Sequence, residues 1–324
     1  MTGDRLEIEG LSVSFRDGAG WRRVVHGASL SVRAGETTAL VGESGSGKSV
    51  TAMSVLGLLP RRASRIDAGR ITLTEGGRDT QLASADERTL RAVRGRRIAM
   101  IFQEPMTALN PVMTVGRQIV ECAERAGLKG SAAREAAQEA LHAVGVDDPA
   151  RRMRSYPHEL SGGQRQRALI AGALVAGANW LLADEPTTAL DVTVQRQILD
   201  LLARLREDRG LGMLFITHAL PVAASVADHL VVMVAGRVVE TGPARETLAA
   251  PLHPYTRALV EASPALGAPA KRGGDGSWLD ALGAGDERYW GPVAGWEEPR
   301  LKEVSPGRFV AVRSEGAALG AGVP

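Results

Sequence analysis

Lysine is almost missing from this chain: of 39 basic residues, only Lys48, Lys129, Lys271 and Lys302 are lysines and the rest are arginines. Thirty-seven acidic residues bring the formal net charge to +2, so composition gives no electrostatic reason to expect nucleic acid as a partner. A single cysteine, Cys122, excludes an internal disulfide and any all-cysteine metal site within one chain. No run of 18 or more apolar residues occurs, so nothing reads as a membrane-spanning helix. The opening Met-Thr-Gly-Asp-Arg has no apolar run behind it, which predicts no signal peptide and a cytosolic chain. Membrane contact would then come through a partner.

What is present is an ordinary globular composition around one unusual loop. The 324 residues are 44% apolar and 23% charged, enough for one large domain plus a small appendage. One of the four lysines falls in Gly42-Glu43-Ser44-Gly45-Ser46-Gly47-Lys48-Ser49, which meets the GxxxxGK(S/T) pattern at every fixed position. A short apolar, β-capable run, Thr37-Thr38-Ala39-Leu40-Val41, precedes it, and a stretch of helical length, Val50 to Leu59, follows. That is the strand–loop–helix setting the pattern requires. Gly42, Gly45 and Gly47, with Ser44 between them, let successive N–H groups face phosphate oxygens, and the helix N-terminus adds its positive end. Lys48 is placed to reach the β- and γ-phosphates, and the Ser49 hydroxyl to hold Mg²⁺. The loop says nucleoside triphosphate, but not what the energy is used for.

Farther along, the apolar run Trp180-Leu181-Leu182-Ala183 ends in Asp184-Glu185. Taken alone, such a pair is a solvated strand end. After a complete phosphate loop, Asp184 becomes the Mg²⁺-side acid, acting through coordinated water, and Glu185 the candidate general base for water attack on the γ-phosphate. Upstream of the pair lies Leu160-Ser161-Gly162-Gly163-Gln164, in which Ser161 is a good helix N-cap and the two glycines expose amides.

With this pentapeptide between a phosphate loop and an acidic pair, the sequence resembles the ABC transporter ATPases, whose signature is LSGGQ. The resemblance implies that Ser161, Gly162, Gly163 and Gln164 meet the γ-phosphate of an ATP held by a second subunit. It makes Gln103, at a strand end, the glutamine that meets Mg²⁺ and the attacking water and senses the membrane partner. Asp191, in Ala189-Leu190-Asp191, belongs to the loop crossing between subunits, and His218 contacts the γ-phosphate and orients Glu185. Phe15 matches the aromatic that stacks on adenine, although a strand phenylalanine is more often core and Trp21 lies in the following loop. The family often has Asp after the switch histidine; this chain has Ala219. The resemblance covers residues 1–250 almost without gaps.

Other stretches resemble the oligopeptide/dipeptide importer ATPases in particular: Ile101 to Pro111, Tyr156-Pro157-His158-Glu159-Leu160, Asp184 to Gln195 and His253 to Leu259. Val50 after the phosphate loop looks like the "D" chain of such importers, whose "F" partner usually has Thr there. This implies a peripheral ATPase on the cytoplasmic face of the cell membrane. It would pair with a second ATPase, a non-identical paralogue or itself, and serve two permeases and an extracellular solute-binding protein, without nucleic acid. ATP and Mg²⁺ are the expected ligands. Di- or oligopeptides are the expected cargo, with nickel or another small solute as the alternative and a soluble or regulatory ATPase behind that. The family's closing segment usually carries a cysteine cluster, and this chain lacks those cysteines, so no iron–sulfur centre is expected.

The fold implied is α/β: a P-loop NTPase core of the RecA-like kind, with an antiparallel β subdomain and an inserted helical subdomain at about 112–165. Residues 1–250 form that domain and 251–324 a C-terminal extension. Residues 6–41 read as short strands and turns, 97–102 as a buried strand, 113–145 as two helices broken at Gly127–Ser131, and 151–158 as a loop. From Pro251 periodicity weakens, with Leu266–Gly276 the flexible piece, and Trp278, Tyr289, Trp290 and Trp296 left to pack the extension.

Overall fold

The computed structural model describes residues 3–18, 20–103, 108–188, 190–263 and 300–312. The chain opens with two long strands, β1 (Arg5–Asp17) and β2 (Gly20–Arg33), rather than several short ones. β3 (Thr37–Val41), buried throughout, leads through the glycine loop into α1 (Lys48–Val55). This helix stops earlier than the expected Leu59. Gly57 takes a left-handed φ of 58°, its N–H meets the Ser54 carbonyl at 3.1 Å, and that of Leu58 meets Met53 at 3.0 Å, the paired bonds with which glycine closes a helix.

β4 (Ser64–Glu75) and β5 (Arg78–Gln81) return to the first two strands, and α2 (Glu87–Val93) follows. The polar stretch at 79–87 thus holds a strand end and a helix start, where Asp86 accepts the Thr89 N–H at 2.8 Å. β6 (Ile98–Ile101) is shorter than 97–102, and Phe102 leaves the sheet 46% exposed. Helices α3 (Val115–Arg125), α4 (Gly130–Ala143), α5 (Pro149–Arg152) and α6 (Gly162–Leu174) come next. The expected loop at 151–158 therefore contains the end of α5 and the start of a 3₁₀ turn, Pro157–Glu159.

The second half alternates β7 (Trp180–Asp184), α7 (Val192–Arg209), β8 (Gly212–Thr217), α8 (Leu220–Val226) and β9 (His229–Val234). β10 (Arg237–Pro243), α9 (Ala244–Ala249), α10 (Pro254–Glu261) and a hairpin of β11 (Arg300–Ser305) and β12 (Arg308–Val312) close the chain. Leu266–Gly276 and the aromatics Trp278, Tyr289, Trp290 and Trp296 lie outside the described residues.

Two sheets result. A four-stranded antiparallel sheet has the order β2-β1-β4-β5, and an eight-stranded sheet the order β11-β12-β10-β9-β3-β8-β7-β6. Within the larger sheet β9, β3, β8, β7 and β6 are parallel, and the last three chain segments add to it antiparallel. This is a RecA-like P-loop core with a mixed sheet and flanking β and helical subdomains.

β3 is the strand around which the connections divide. Ala52 and Val55 of α1 pack on one face of the large sheet, among Leu6, Ile8 and Leu73 of the small sheet. Leu220 and Ala223 of α8 pack on the other, against Ala39 and Val41. The segments leaving β3 and β8 therefore part to opposite faces, which opens a crevice at their carboxyl ends. The α3, α4, α6 and α7 helices bury a third cluster on β7 and β8, with Leu181, Met213 and Phe215 at its base. Glu75 ties the two sheets together, accepting the Trp180 indole N–H at 2.8 Å and the Arg97 Nε–H at 2.5 Å.

The terminal hairpin is fastened by a buried ion pair. Arg308 lies 3.0 Å from Glu240, with side-chain exposures of 10% and 0%, and also donates to the Ala250 carbonyl. Glu240 further accepts the N–H groups of Leu252 at 3.1 Å and His253 at 2.9 Å. Arg308→Ala removes one charge and strands the other in a site closed to water, so it is expected to cost about 3–5 kcal/mol of unfolding free energy, read by urea denaturation.

Candidate functional site

The phosphate loop occupies the mouth of the crevice. Gly45 and Gly47 take φ of 78° and 98°, a backbone that turns successive N–H groups to one side. A side chain at Gly42 would run into the Met233 carbonyl of β9, so this glycine is required by close approach. Gly47 begins α1 without any side-chain cap, leaving the first-turn amides to whatever lies in the loop. Lys48 is 4% exposed and donates to the carbonyls of Gly42 at 2.8 Å and Glu43 at 2.7 Å. Burial pushes its ammonium below the usual lysine range, opposed by the carboxylates of Glu185, Asp184 and Glu43.

Beside the loop, at the end of β7, Asp184 accepts the Ser49 hydroxyl at 3.0 Å. A hydroxyl from the first turn of α1 and a carboxylate from the end of β7 thus stand side by side, hard oxygen donors of the kind that suit Mg²⁺. Glu185 follows with φ of 47°, uncommon for a side chain of its size and therefore held by its surroundings. Its Oε2 accepts from Thr188 at 2.8 Å and from the Gln103 amide at 3.2 Å, and its Oε1 lies 3.1 Å from His218 Nδ1.

These contacts fix orientations as well as positions. An ionised carboxylate only accepts, so Gln103 donates to Glu185 through its NH₂ and His218 through Nδ1–H. The two acids are also driven apart. Burial lifts Asp184 above its ordinary value, with Glu185 adding to it against the Ser49 bond and Lys48. Burial also acts to lift Glu185, but bonds from Thr188 and His218, with the charges of His218 and Lys48, outweigh it and hold Glu185 below its ordinary value. Ala219, in the position after His218, starts α8 with no side-chain cap; its own N–H goes to Thr217 Oγ1 at 3.0 Å.

A second group forms at the N-termini of α6 and α7. Ser161 accepts the Gln164 N–H at 3.3 Å while the Gln164 side chain accepts the Ser161 N–H at 3.2 Å, a reciprocal cap. Asp191 caps α7 by accepting the Val194 N–H at 2.9 Å. Gly162 and Gly163 face this turn: a side chain at Gly163 would sit 2.7 Å from Val194 Cγ1. Ser161, Gly162 and Asp191 are exposed, and so is Val192 at 83%. No hydrogen bond among the described residues joins this group to the phosphate loop. Ala189 lies outside the described residues. Phe15 sits on β1 partly buried against the core between the sheets, and exposed Trp21 has the Arg65 guanidinium 4.4 Å from its ring centre.

Two residues at the site escaped the sequence reading. Thr188 gives Glu185 its shortest bond, and only its place three residues on in the turn could have signalled this. Tyr255 of α10, 1% exposed, accepts the Glu43 N–H at 3.2 Å although 212 positions separate them. Nothing local in the sequence predicts that meeting.

A glycine loop at a sheet crevice, with a serine–aspartate pair and a clamped glutamate beside it, defines a P-loop nucleoside triphosphatase. The comparisons narrow this. Residues 25–188 match the ABC transporter family, and residues 239–284 match the C-terminal region of the oligopeptide/dipeptide transporters. A putative peptide import ATP-binding protein of Brucella abortus (strain 2308) is 53% identical over 264 residues, which covers 81% of this chain and 78% of that protein. A probable peptide ABC transporter ATP-binding protein of Sinorhizobium fredii is 48% identical over 260 residues, covering 80% of this chain and 76% of its own. The solved dimeric cassette MJ0796, in a post-hydrolysis state with ADP and Pi, superposes with a TM-score of 0.64 at 26% identity, over 74% of this chain and 99% of that one. The chain belongs to the ABC transporter family, as an ATP-binding subunit of its peptide/oligopeptide importer branch.

The Gly163–Val194 contact gives a test of the second group. Alanine is worth about 1 kcal/mol over glycine in a helix, whereas overpacking a tight contact costs about 1–3 kcal/mol. Gly163→Ala is therefore expected to destabilise the native chain, and to become neutral or stabilising in a Val194→Ala background, measured by a double-mutant cycle of denaturation midpoints.

Proposed function

We propose that this chain is the ATPase that energises uptake of di- or oligopeptides, working peripherally on the cytoplasmic face of the cell membrane. Among the described residues no helix is long and apolar enough to cross a membrane. In this reading residues 1–250 form the nucleotide-binding domain, with a helical subdomain at about 112–165, and 251–324 an extension on it. Gly42 to Ser49 cradle the phosphates, Ser49 and the Gln103 carbonyl, with Asp184 acting through coordinated water, would hold Mg²⁺, and Phe15 stacks on adenine. Bound there, Mg²⁺ neutralises charge on the β- and γ-phosphates. No iron–sulfur centre is assigned, because the chain has one cysteine, Cys122, whose thiol is pushed up by burial.

The observation that carries ATP hydrolysis is the threefold hold on Glu185 by Thr188, Gln103 and His218, while peptide cargo is argued from the similarity to peptide-import ATP-binding proteins. A carboxylate kept ionised and aimed can orient a water and accept its proton as the water oxygen attacks the γ-phosphorus and the bond to the bridging oxygen breaks, leaving ADP and phosphate. Its lowered pKa makes it a modest base, so placing the water matters more than pulling its proton. Two exposed helix N-termini carrying Ser161, Gly162, Gly163, Gln164 and Asp191 support a head-to-tail pair of subunits, each ATP lying between one phosphate loop and the other signature. The relative solved with ADP and Pi is itself a dimer. The second subunit is taken as a non-identical paralogue, and the pair as serving two permeases and an extracellular solute-binding protein. Closure on ATP then shifts those permeases between two states.

Glu185→Gln keeps the shape and loses the proton acceptor. Nucleotide affinity should be retained and turnover of the assembled ATPase should fall at least about 100-fold, followed by phosphate release. Near-normal turnover would overturn the assignment of Glu185 as base.

A further inference from the structure

The C-terminal extension begins its helix α10 against the phosphate loop, and the site proposed above makes no use of that contact. Tyr255 is 1% exposed and its hydroxyl accepts the N–H of Glu43, the first variable residue of the loop, at 3.2 Å. The same residue's carbonyl accepts from Lys48 Nζ at 2.7 Å and from the Ser46 N–H at 3.2 Å. Glu43 is thus gripped at both ends, from outside by the extension and from inside by the lysine and the turn. We propose that Tyr255 is a positioning residue for the phosphate loop: it fixes Glu43, and through it the seat of Lys48, so that the extension helps set nucleotide affinity.

Tyr255 is itself held in place by a continuous set of bonds. His253 Nδ1 accepts the Tyr255 N–H at 3.2 Å, Glu240 accepts the His253 N–H at 2.9 Å, and Arg308 of the terminal hairpin pairs with Glu240 at 3.0 Å. The phenol is neutral at any working pH, since burial and the Glu43 charge both raise its pKa. A neutral hydroxyl can accept the amide without bringing a charge to a loop that binds phosphate. Ser46 spends its amide on the Glu43 carbonyl, and the amides of Gly45, Gly47, Lys48 and Ser49 stay available for the ligand. Glu43 itself contributes through its backbone, because its side-chain position is exposed.

The inference rests on the reading that Gly42–Ser49 binds ATP, and the experiment separates the two. Titration of the full-length wild-type chain with a fluorescent ATP analogue and Mg²⁺ tests that reading first; no binding would sink it. Tyr255→Phe then removes one oxygen and keeps the buried ring. Loss of a single neutral hydrogen bond is expected to weaken nucleotide binding about three- to tenfold, with faster amide exchange across Gly42–Ser49 and little change in the Tm of the nucleotide-free chain. Thr256→Val is the control, since Thr256 is fully buried one residue on and its hydroxyl has no partner among the described residues. It should leave affinity and loop exchange unchanged. Wild-type affinity and loop exchange in Tyr255→Phe, or an equal loss in Thr256→Val, would overturn the proposal.

Discussion

Everything at this site depends on parallel pairing of three strands, β3, β8 and β7. Their register sets Val41 beside Thr217 and Asp184 beside Ile216, so the chain leaves all three at the same carboxyl end of the sheet. The Ser49–Asp184 bond and the His218–Glu185 contact are consequences of that alignment. A one-residue slip would turn each strand's side chains to the opposite face and take the acids away from the loop. Buried aliphatic faces on both sides of the sheet make such a slip costly.

The site is also a place where local preference is overruled. Glu185 adopts a positive φ, Asp184 is buried with its charge destabilised, and Lys48 is desolvated. Each would be unfavourable in isolation, and each is compensated by a neighbour: Ile216 O for the Glu185 N–H at 3.0 Å, Ser49 for Asp184, and the Gly42 and Glu43 carbonyls for Lys48. Groups held in such environments are ready to meet a charged ligand without rearranging first.

Much of this was legible in the chain because the chemistry is written in short motifs. The glycine loop, the acidic pair and the capped signature each need neighbours only a few residues away, and Ser161 and Asp191 cap helices just as their residue types predict. Element lengths were less legible. The long β1 and β2 are broken by register shifts near Leu11 and Val13, which interrupt alternation and make one strand look like several. The early end of α1 was signalled by Gly57, but the apolar Leu58 and Leu59 carried the helical pattern past it.

By itself, the sequence determined the site's chemistry: a lysine and a serine on a glycine loop, a buried strand ending in two acids, and a histidine after another strand. It could do so because each motif is local and its residue types admit few other uses together. Only the tertiary structure decided that the Gln103 amide reaches Glu185, that Gly163 faces Val194, and that Tyr255 reaches back to Glu43. Those contacts join residues from separate strands and helices. Their meeting is set by how sheet faces pack and connections divide, which no stretch of sequence specifies alone.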